Sequence, residues 1–196
     1  MSITDEAEYG QKQINTLELI WGEGFLSPGG IQEIDYVLNN RSIENLNVLD
    51  IGCGCGGAAI HFVKNLKAAH VLGVDVEQEV INRANTLKLK SNHKHQLTFQ
   101  VVKEGPLLFD NESFDMIFSK DAFLHISNKE WLGQELFRLL KPGGFVAASD
   151  WMRKDDNPPS EEMLDYIKAE GLDMQMCSLK RYSKSLIDAG FINVKL

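Results

Sequence analysis

Short apolar runs alternate with amphipathic segments along the chain from residue 47 onward. Apolar runs of this length, separated by helical patterns, are typical of parallel strands in a sheet that helices cover on both faces. The pattern therefore predicts an α/β fold with strands at residues 47–53, 70–76, 97–102, 114–121 and 144–150.

The segments between these strands carry apolar residues at three- and four-residue spacing, the period of an amphipathic helix. They predict helices at residues 57–66, 77–89 and 128–140, the last of them stopped by a turn at "LKPGG", residues 140–144. Ser160 is expected to cap a later helix, because its hydroxyl can accept a backbone N–H there. Outside this alternation we predict a last helix at about residues 178–189, a helical cap at residues 1–40, and a further strand in "FINVKL".

The stretch "VLDIGCGCGGAAIHF", residues 48–62, places a glycine loop between the first strand and a helix. Glycines there allow backbone N–H groups to approach a ligand closely. The glycine spacing fits two motifs. One is G-x-G-x-x-G, typical of dinucleotide sites. The other is D-x-G-x-G-x-G, typical of S-adenosylmethionine sites, which uses Asp50, Gly52, Gly54 and Gly56. Asp75 ends the second strand, where a carboxylate can accept both ribose hydroxyls of either ligand. These residues predict an adenosine site and leave the choice of ligand open.

Three further features favour S-adenosylmethionine. Asp50 can meet the ammonium end of a methionine moiety, whereas the negative charge of a pyrophosphate would repel a carboxylate. The stretches "SFDMIFSKDAFLHI" and "LFRLLKPGGFVAASD" follow at the distances expected of the next strand units. Together, residues 47–150 resemble the class I S-adenosylmethionine-dependent methyltransferases, which implies a Rossmann-like, doubly wound, mostly parallel sheet.

The stretches "EYGQKQINTLELIWGEGFLSPGG" and "SKDAFLHIS" narrow the resemblance to the phosphoethanolamine N-methyltransferase family and its small-amine N-methylating relatives. In that family a tyrosine of an N-terminal lid and a histidine after the fourth strand meet over the methyl group, which implies catalytic roles for Tyr9 and His125. The same resemblance implies cofactor contacts at Ser27, Asp50, Gly52, Gly54, Gly56, Asp75, Val76, Glu104, Ser119 and Lys120, and acceptor contacts at Asp121, Trp151 and Tyr166.

The chain departs from the family in two places. Lys103 stands where the family has an acid for the adenine amino group, with Glu104 one residue later. Glu170 and Leu172 stand where the family's phosphate-binding arginine and tyrosine would be, and a carboxylate there would repel a phosphate dianion. We therefore expect N-methylation of a small amine, either phosphoethanolamine-type or a non-phosphorylated analogue. An NAD-dependent oxidoreductase and a non-catalytic adenosine-metabolite binding protein remain as alternatives.

Each assignment also has a purely structural interpretation. His125 could cap a strand end, Tyr9 could pack the N-terminal helix, and Trp151 and Tyr166 could be core aromatics rather than a cation–π wall for a methylated ammonium.

Composition limits the partners. The 196 residues suit one domain, with residues 1–40 as the lid and 151–190 as acceptor-side helices, and the formal charge of −8 disfavours nucleic acid and anionic membranes. No signal peptide, spanning segment or disulfide framework is recognisable, so a cytoplasmic protein is expected. Cys53 and Cys55 lack the further ligands of a zinc site, so no metal is predicted, and no feature indicates an obligate protein partner.

Because the family's sheet usually has seven strands and this chain ends at "NVKL", its last strand or strands are expected to be missing.

Overall fold

The structure, a computed structural model, describes residues 10–171 and 173–195. Its sheet contains β1 (Asn47–Ile51), β2 (His70–Asp75), β3 (Leu97–Val101), β4 (Phe114–Lys120) and β5 (Leu140–Ser149). The spatial order is β3-β2-β1-β4-β5, and every pairing between these strands is parallel. The chain adds strands outward from β1 to β3 on one side and from β4 to β5 on the other, so the order switches between β1 and β4. In such sheets, ligands bind at the carboxyl ends of the strands beside this switch. The predicted Rossmann-like sheet is confirmed.

Seven helices are found among the described residues. They are α1 (Gln11–Trp21), α2 (Gly30–Leu38), α3 (Gly57–Lys64), α4 (Gln78–Lys90), α5 (Lys129–Leu139), α6 (Glu161–Glu170) and α7 (Leu179–Ala189). Ser160 caps α6 as predicted, since its hydroxyl accepts the Met163 N–H. None of these helices combines the length and the apolarity that a membrane crossing requires.

The sheet separates two apolar cores because adjacent residues of a strand point to opposite faces. Val48 belongs to the core that contains Phe62 of α3 and residues of α2 and α4. Leu49 belongs to the other core, with Leu136 of α5 and Tyr182 of α7. Both faces of the central strand are therefore covered, which explains why the strands read as nearly continuous apolar runs.

The N-terminal helix α1 is fastened to the start of α4 and to the glycine loop. Ile14 is fully buried in a small cluster with Cys55 and Val80. Glu18 accepts a hydrogen bond from the Arg83 side chain at 2.9 Å, and both partners are largely buried. Within the described residues, the predicted helical cap is present as α1 and α2, whereas its role as a lid remains a prediction.

Two expectations about the last strands are wrong. Residues 140–144 were expected to form a turn, but β5 already begins at Leu140, which pairs with Phe114, while Phe145 pairs with Met116. The extra residues of "KPGG" are absorbed as an irregularity in the β4–β5 pairing. Residues 191–195 form no strand; instead, the Phe191 ring packs edge-on against Phe137 of α5.

Candidate functional site

The glycine loop turns sharply because three of its glycines have left-handed backbone angles. The φ angles are 70° at Gly52, 50° at Gly54 and 84° at Gly56. A Cβ at Gly52 would also lie 2.1 Å from the Cβ of Ala122, and one at Gly56 would lie 2.6 Å from the Phe99 ring. Packing within the protein therefore requires two of the three glycines, independently of any ligand.

Asp75 closes the glycine loop from the end of β2. One carboxylate oxygen accepts the Gly54 N–H at 2.9 Å, and the other accepts the Glu77 N–H at 3.0 Å. Burial raises the pKa of Asp75, and these backbone hydrogen bonds, together with nearby His125, act against that rise. Each oxygen keeps a second lone pair, so the carboxylate can still accept two ligand hydroxyls.

Asp50 lies beneath the same loop with an unsatisfied oxygen. Its side chain is 2% exposed, and Oδ2 has no hydrogen-bond partner among the described residues. Burial, and after it the charge of Asp75, raises the pKa of Asp50 to about 8. A buried orphan carboxyl of this kind suits a cationic ligand group, which would supply both the missing hydrogen bond and a balancing charge.

Lys120, the last residue of β4, joins two other predicted site residues, Ser27 and Asp121, to α2. Its ammonium donates to Ser27 Oγ and to Asp121 Oδ2, each at 2.6 Å, and lies 3.2 Å from Glu33 Oε2. Its side chain is only 8% exposed. The structure therefore brings Ser27, Lys120 and Asp121 together, but Asp121 is already paired with a cation, which the sequence did not indicate.

Three other predicted contacts differ in accessibility. The Ser119 side chain is fully buried and donates its hydroxyl to the Ile51 carbonyl at 2.9 Å, so in this structure it ties β4 to β1. Val76 is half exposed directly after β2, on the side of Asp75. Glu104 and its neighbour Lys103 are both exposed in the loop after β3.

His125 lies in a short helical turn, Phe123–His125, that follows β4. Its Nδ1 is 2.9 Å from the backbone carbonyl of Asp173, which can only accept, so Nδ1 carries the proton. The other ring nitrogen, Nε2, is consequently free to accept a proton on an exposed side chain. Tyr9, its predicted catalytic partner, lies outside the described residues, as does Leu172; of Glu170 only the backbone is described.

The acceptor side contains one group that sequence reasoning missed. Trp151 and Tyr166, the predicted aromatic pair, are both about half exposed. Next to Trp151, Asp150 accepts a 2.5 Å hydrogen bond from the Tyr182 hydroxyl. Burial raises the pKa of Asp150 to about 6, while the Tyr182 hydrogen bond lowers it. The sequence signal for Asp150 was its position at the carboxyl end of β5, where ligands of parallel sheets bind.

Two cysteines, Cys53 and Cys55, lie within the glycine loop. Cys53 and Cys55 are buried free thiols, and burial raises the pKa of both. No group of three histidine, cysteine or acidic side chains is arranged there to hold a metal ion. Small side chains in a tight turn account for both cysteines.

The sequence of this chain is similar to those of known methyltransferases. The family described as "Methyltransferase domain" matches residues 42–187. Phosphoethanolamine N-methyltransferase 1 of Triticum aestivum is 34% identical over 191 residues, which are 97% of this chain and 37% of that protein. Phosphoethanolamine N-methyltransferase of Plasmodium falciparum is 30% identical over 190 residues, 95% of this chain and 69% of that protein.

A solved structure extends the comparison to three dimensions. Phosphoethanolamine N-methyltransferase 2 of Haemonchus contortus, in complex with S-adenosyl-L-methionine, superposes with a TM-score of 0.87 at 27% identity. The match covers 97% of this chain and 44% of that one. The chain thus spans little more than a third of the wheat relative and less than half of the Haemonchus chain.

Proposed function

The chain belongs to the methyltransferase domain family, and we propose that it transfers a methyl group from S-adenosylmethionine to the nitrogen of a small amine. The names of its wheat and Plasmodium relatives support an acceptor of the phosphoethanolamine type. The S-adenosylmethionine bound in the Haemonchus relative supports the same methyl donor here, and product S-adenosylhomocysteine would leave from the same site.

The residues at the carboxyl edge of the sheet fit that donor. Asp75 would accept the ribose hydroxyls, and the backbone of the loop around Gly54 would approach the ligand without a Cβ in the way. The orphan oxygen of Asp50 would accept from the ammonium of the methionine moiety. When bound, the donor supplies a methyl group activated by the positive charge on sulfur, so the protein has mainly to align the acceptor and remove its proton.

His125 would remove that proton. An amine acceptor is mostly protonated near neutral pH and cannot attack before it loses a proton. The His125 tautomer with its proton on Nδ1 leaves Nε2 free to take that proton as a general base. General-base catalysis typically raises the reaction rate by a factor of about 10² to 10⁴. Tyr9 is proposed to close over the site beside His125, as the family resemblance implies.

The acceptor would be bound as a cation. Asp150, near the end of β5, would contribute a carboxylate, as would Asp121, which also pairs with Lys120 at the end of β4, and Trp151 would offer an aromatic face for cation–π attraction. This acidic and aromatic environment, together with Glu170 in place of a phosphate-binding arginine, supports a non-phosphorylated small amine as a second acceptor class beside phosphoethanolamine.

The observation that carries the proposal is the buried, unpartnered oxygen of Asp50 beneath a loop that Asp75 holds. The first test is calorimetric titration of the chain with S-adenosylhomocysteine and, separately, with NAD. We expect binding of S-adenosylhomocysteine alone, weakened about tenfold or more by Asp75→Ala and unchanged by Asp110→Ala, which alters an exposed carboxylate. Binding of NAD alone would support an oxidoreductase instead.

The second test is turnover with a panel of phosphorylated and free amines. His125→Ala should lower kcat by about 10² or more with little change in S-adenosylhomocysteine affinity. Binding without any methylated product would favour a non-catalytic adenosine-metabolite binding protein. The buried free cysteines support a cytoplasmic location, where thiols are kept reduced.

A further inference from the structure

Lys129 is a buried cation that the proposed chemistry does not use. It is the first residue of α5, and its side chain is fully buried. Its ammonium donates to the Phe123 carbonyl at 2.7 Å and also to the Ile126 carbonyl. Burying an ammonium group is costly, so these bonds must offset a substantial loss of hydration.

The charge of Lys129 is balanced only indirectly. Within the part of the chain that the structure describes, no carboxylate lies at ion-pair distance from Nζ. The Tyr182 ring lies with its centroid 5.3 Å away, and Tyr182 in turn donates to Asp150. Burial lowers the pKa of Lys129. Either protonation state of the amine has enough hydrogens to donate to both carbonyls.

The two carbonyls that Lys129 holds lie on either side of His125. Phe123 begins the short turn that His125 ends, and Ile126 follows directly. The turn is also held from its other side, where the Gln175 N–H donates to the Leu124 carbonyl at 2.8 Å and Asp173 accepts from the imidazole. The backbone that carries His125 is thus fixed by Lys129 from within the core and by residues 173–175 from outside.

We propose that Lys129 is a positioning residue for His125, holding the Phe123–Ile126 turn so that the imidazole meets the Asp173 carbonyl through Nδ1 and presents Nε2 to the acceptor. The catalytic part of this inference rests on the proposed function; the positioning part concerns the turn alone. Loss of Lys129 leaves His125 in the chain but removes the two contacts that hold its turn from within the core, and small misplacements of a base are costly in rate.

The test compares Lys129→Met with Lys94→Met. Methionine keeps the length and apolar bulk of the buried stem but donates no hydrogen bond, whereas Lys94 is exposed in the turn before β3. We expect Lys129→Met to lower kcat about 10- to 100-fold with S-adenosylhomocysteine affinity within about twofold of the parent. Lys94→Met should leave both unchanged. Lys129→Gln keeps an amide NH₂ donor group on a shorter side chain and serves if the methionine variant does not fold; its fall in kcat should be smaller.

Two readouts separate positioning from a general loss of structure. In a His125→Ala background, Lys129→Met should cause no further fall in kcat, because the group it orients is already absent. Imidazole ¹⁵N shifts should show His125 as the Nδ1–H tautomer in the parent and as a mixture of tautomers in Lys129→Met or Lys129→Gln. An equal kcat loss in the His125→Ala background, or unchanged ¹⁵N shifts, would overturn the proposal. If the parent has no turnover with any amine, the proposed function fails, and the ¹⁵N shifts alone decide the role of Lys129.

Discussion

The buried carboxyl of Asp50 should make the stability of this protein fall as the pH rises, and Asp50→Asn should remove much of that fall. Burial first, and the charge of Asp75 second, raises the pKa of Asp50 from 3.8 to about 8 in the folded chain. In an unfolded chain an aspartate titrates near pH 3.9. Between these two values the folded state therefore holds a proton that the unfolded state does not.

The sign and size of the effect follow from proton linkage. The stability that the Asp50 proton contributes is fully present below the unfolded pKa and is lost as the pH rises through the folded pKa, about 8. One pKa unit corresponds to about 1.4 kcal/mol. From pH 6 to pH 8 the free energy of unfolding should thus drop by about 2 kcal/mol on account of this one group. Asp50→Asn has no such proton, so its free energy of unfolding should lack this fall.

Urea denaturation followed by circular dichroism at pH 6, 7 and 8 measures the difference. The stability of the parent should decline relative to Asp50→Asn by about 2 kcal/mol across the range, while Asp110→Asn, an exposed carboxylate, should decline in parallel with the parent. Only slopes are compared, so any direct effect of the amide on packing cancels. Equal slopes for the parent and Asp50→Asn would refute the reasoning, because Asp50 would then be ionised in the folded protein at pH 6.

Three further perturbations test other contacts. Gly52→Ala should cost about 3 kcal/mol or more in the same denaturation assay, because its Cβ would lie 2.1 Å from the nearest side-chain carbon, whereas Gly143→Ala, at a similar φ of 82° in open space, should cost about 1–2 kcal/mol; equal losses would contradict the packing argument. Tyr182→Phe should raise the pKa of Asp150 above about 6 in a ¹³C titration, since burial persists while a hydrogen bond that lowers the pKa is lost; an unmoved midpoint would argue against that bond. Arg83→Met should speed amide exchange in α1 severalfold but not in β1, because it breaks the ion pair that ties α1 to α4; uniform acceleration would indicate global destabilisation instead.

Local sequence signals predicted the parts of the fold that depend on neighbours in the chain. The strand cores, the amphipathic helices and the Ser160 cap follow from periodicity and from hydrogen bonds within a few residues. The acids of the site were also within reach. Asp50 lies within the first strand beneath the glycine loop and Asp75 ends the second, and the carboxyl edge of a parallel sheet is where ligands bind.

Contacts between distant segments could not be predicted in this way. Lys120 reaches Ser27, 93 positions away, and no local pattern distinguishes it from a solvated lysine. The burial of Lys129 likewise depends on how α7 packs over α5, since Tyr182 supplies the ring above it. The extended start of β5 escaped prediction because Pro and Gly favour turns locally, while pairing with β4 overrides that preference.

The central position of β1 also affects how the chain matures during synthesis. β2 follows β1 closely along the chain, but the other neighbour of β1 is made much later: the Ser119 hydroxyl that bonds Ile51 is 68 positions further along. At about 5 to 20 residues per second, that interval lasts roughly 3 to 14 s. During this interval one edge of β1 has unpaired backbone N–H and C=O groups, which can pair with a strand of another chain. The strand order thus leaves one edge of β1 without its partner until β4 has been made.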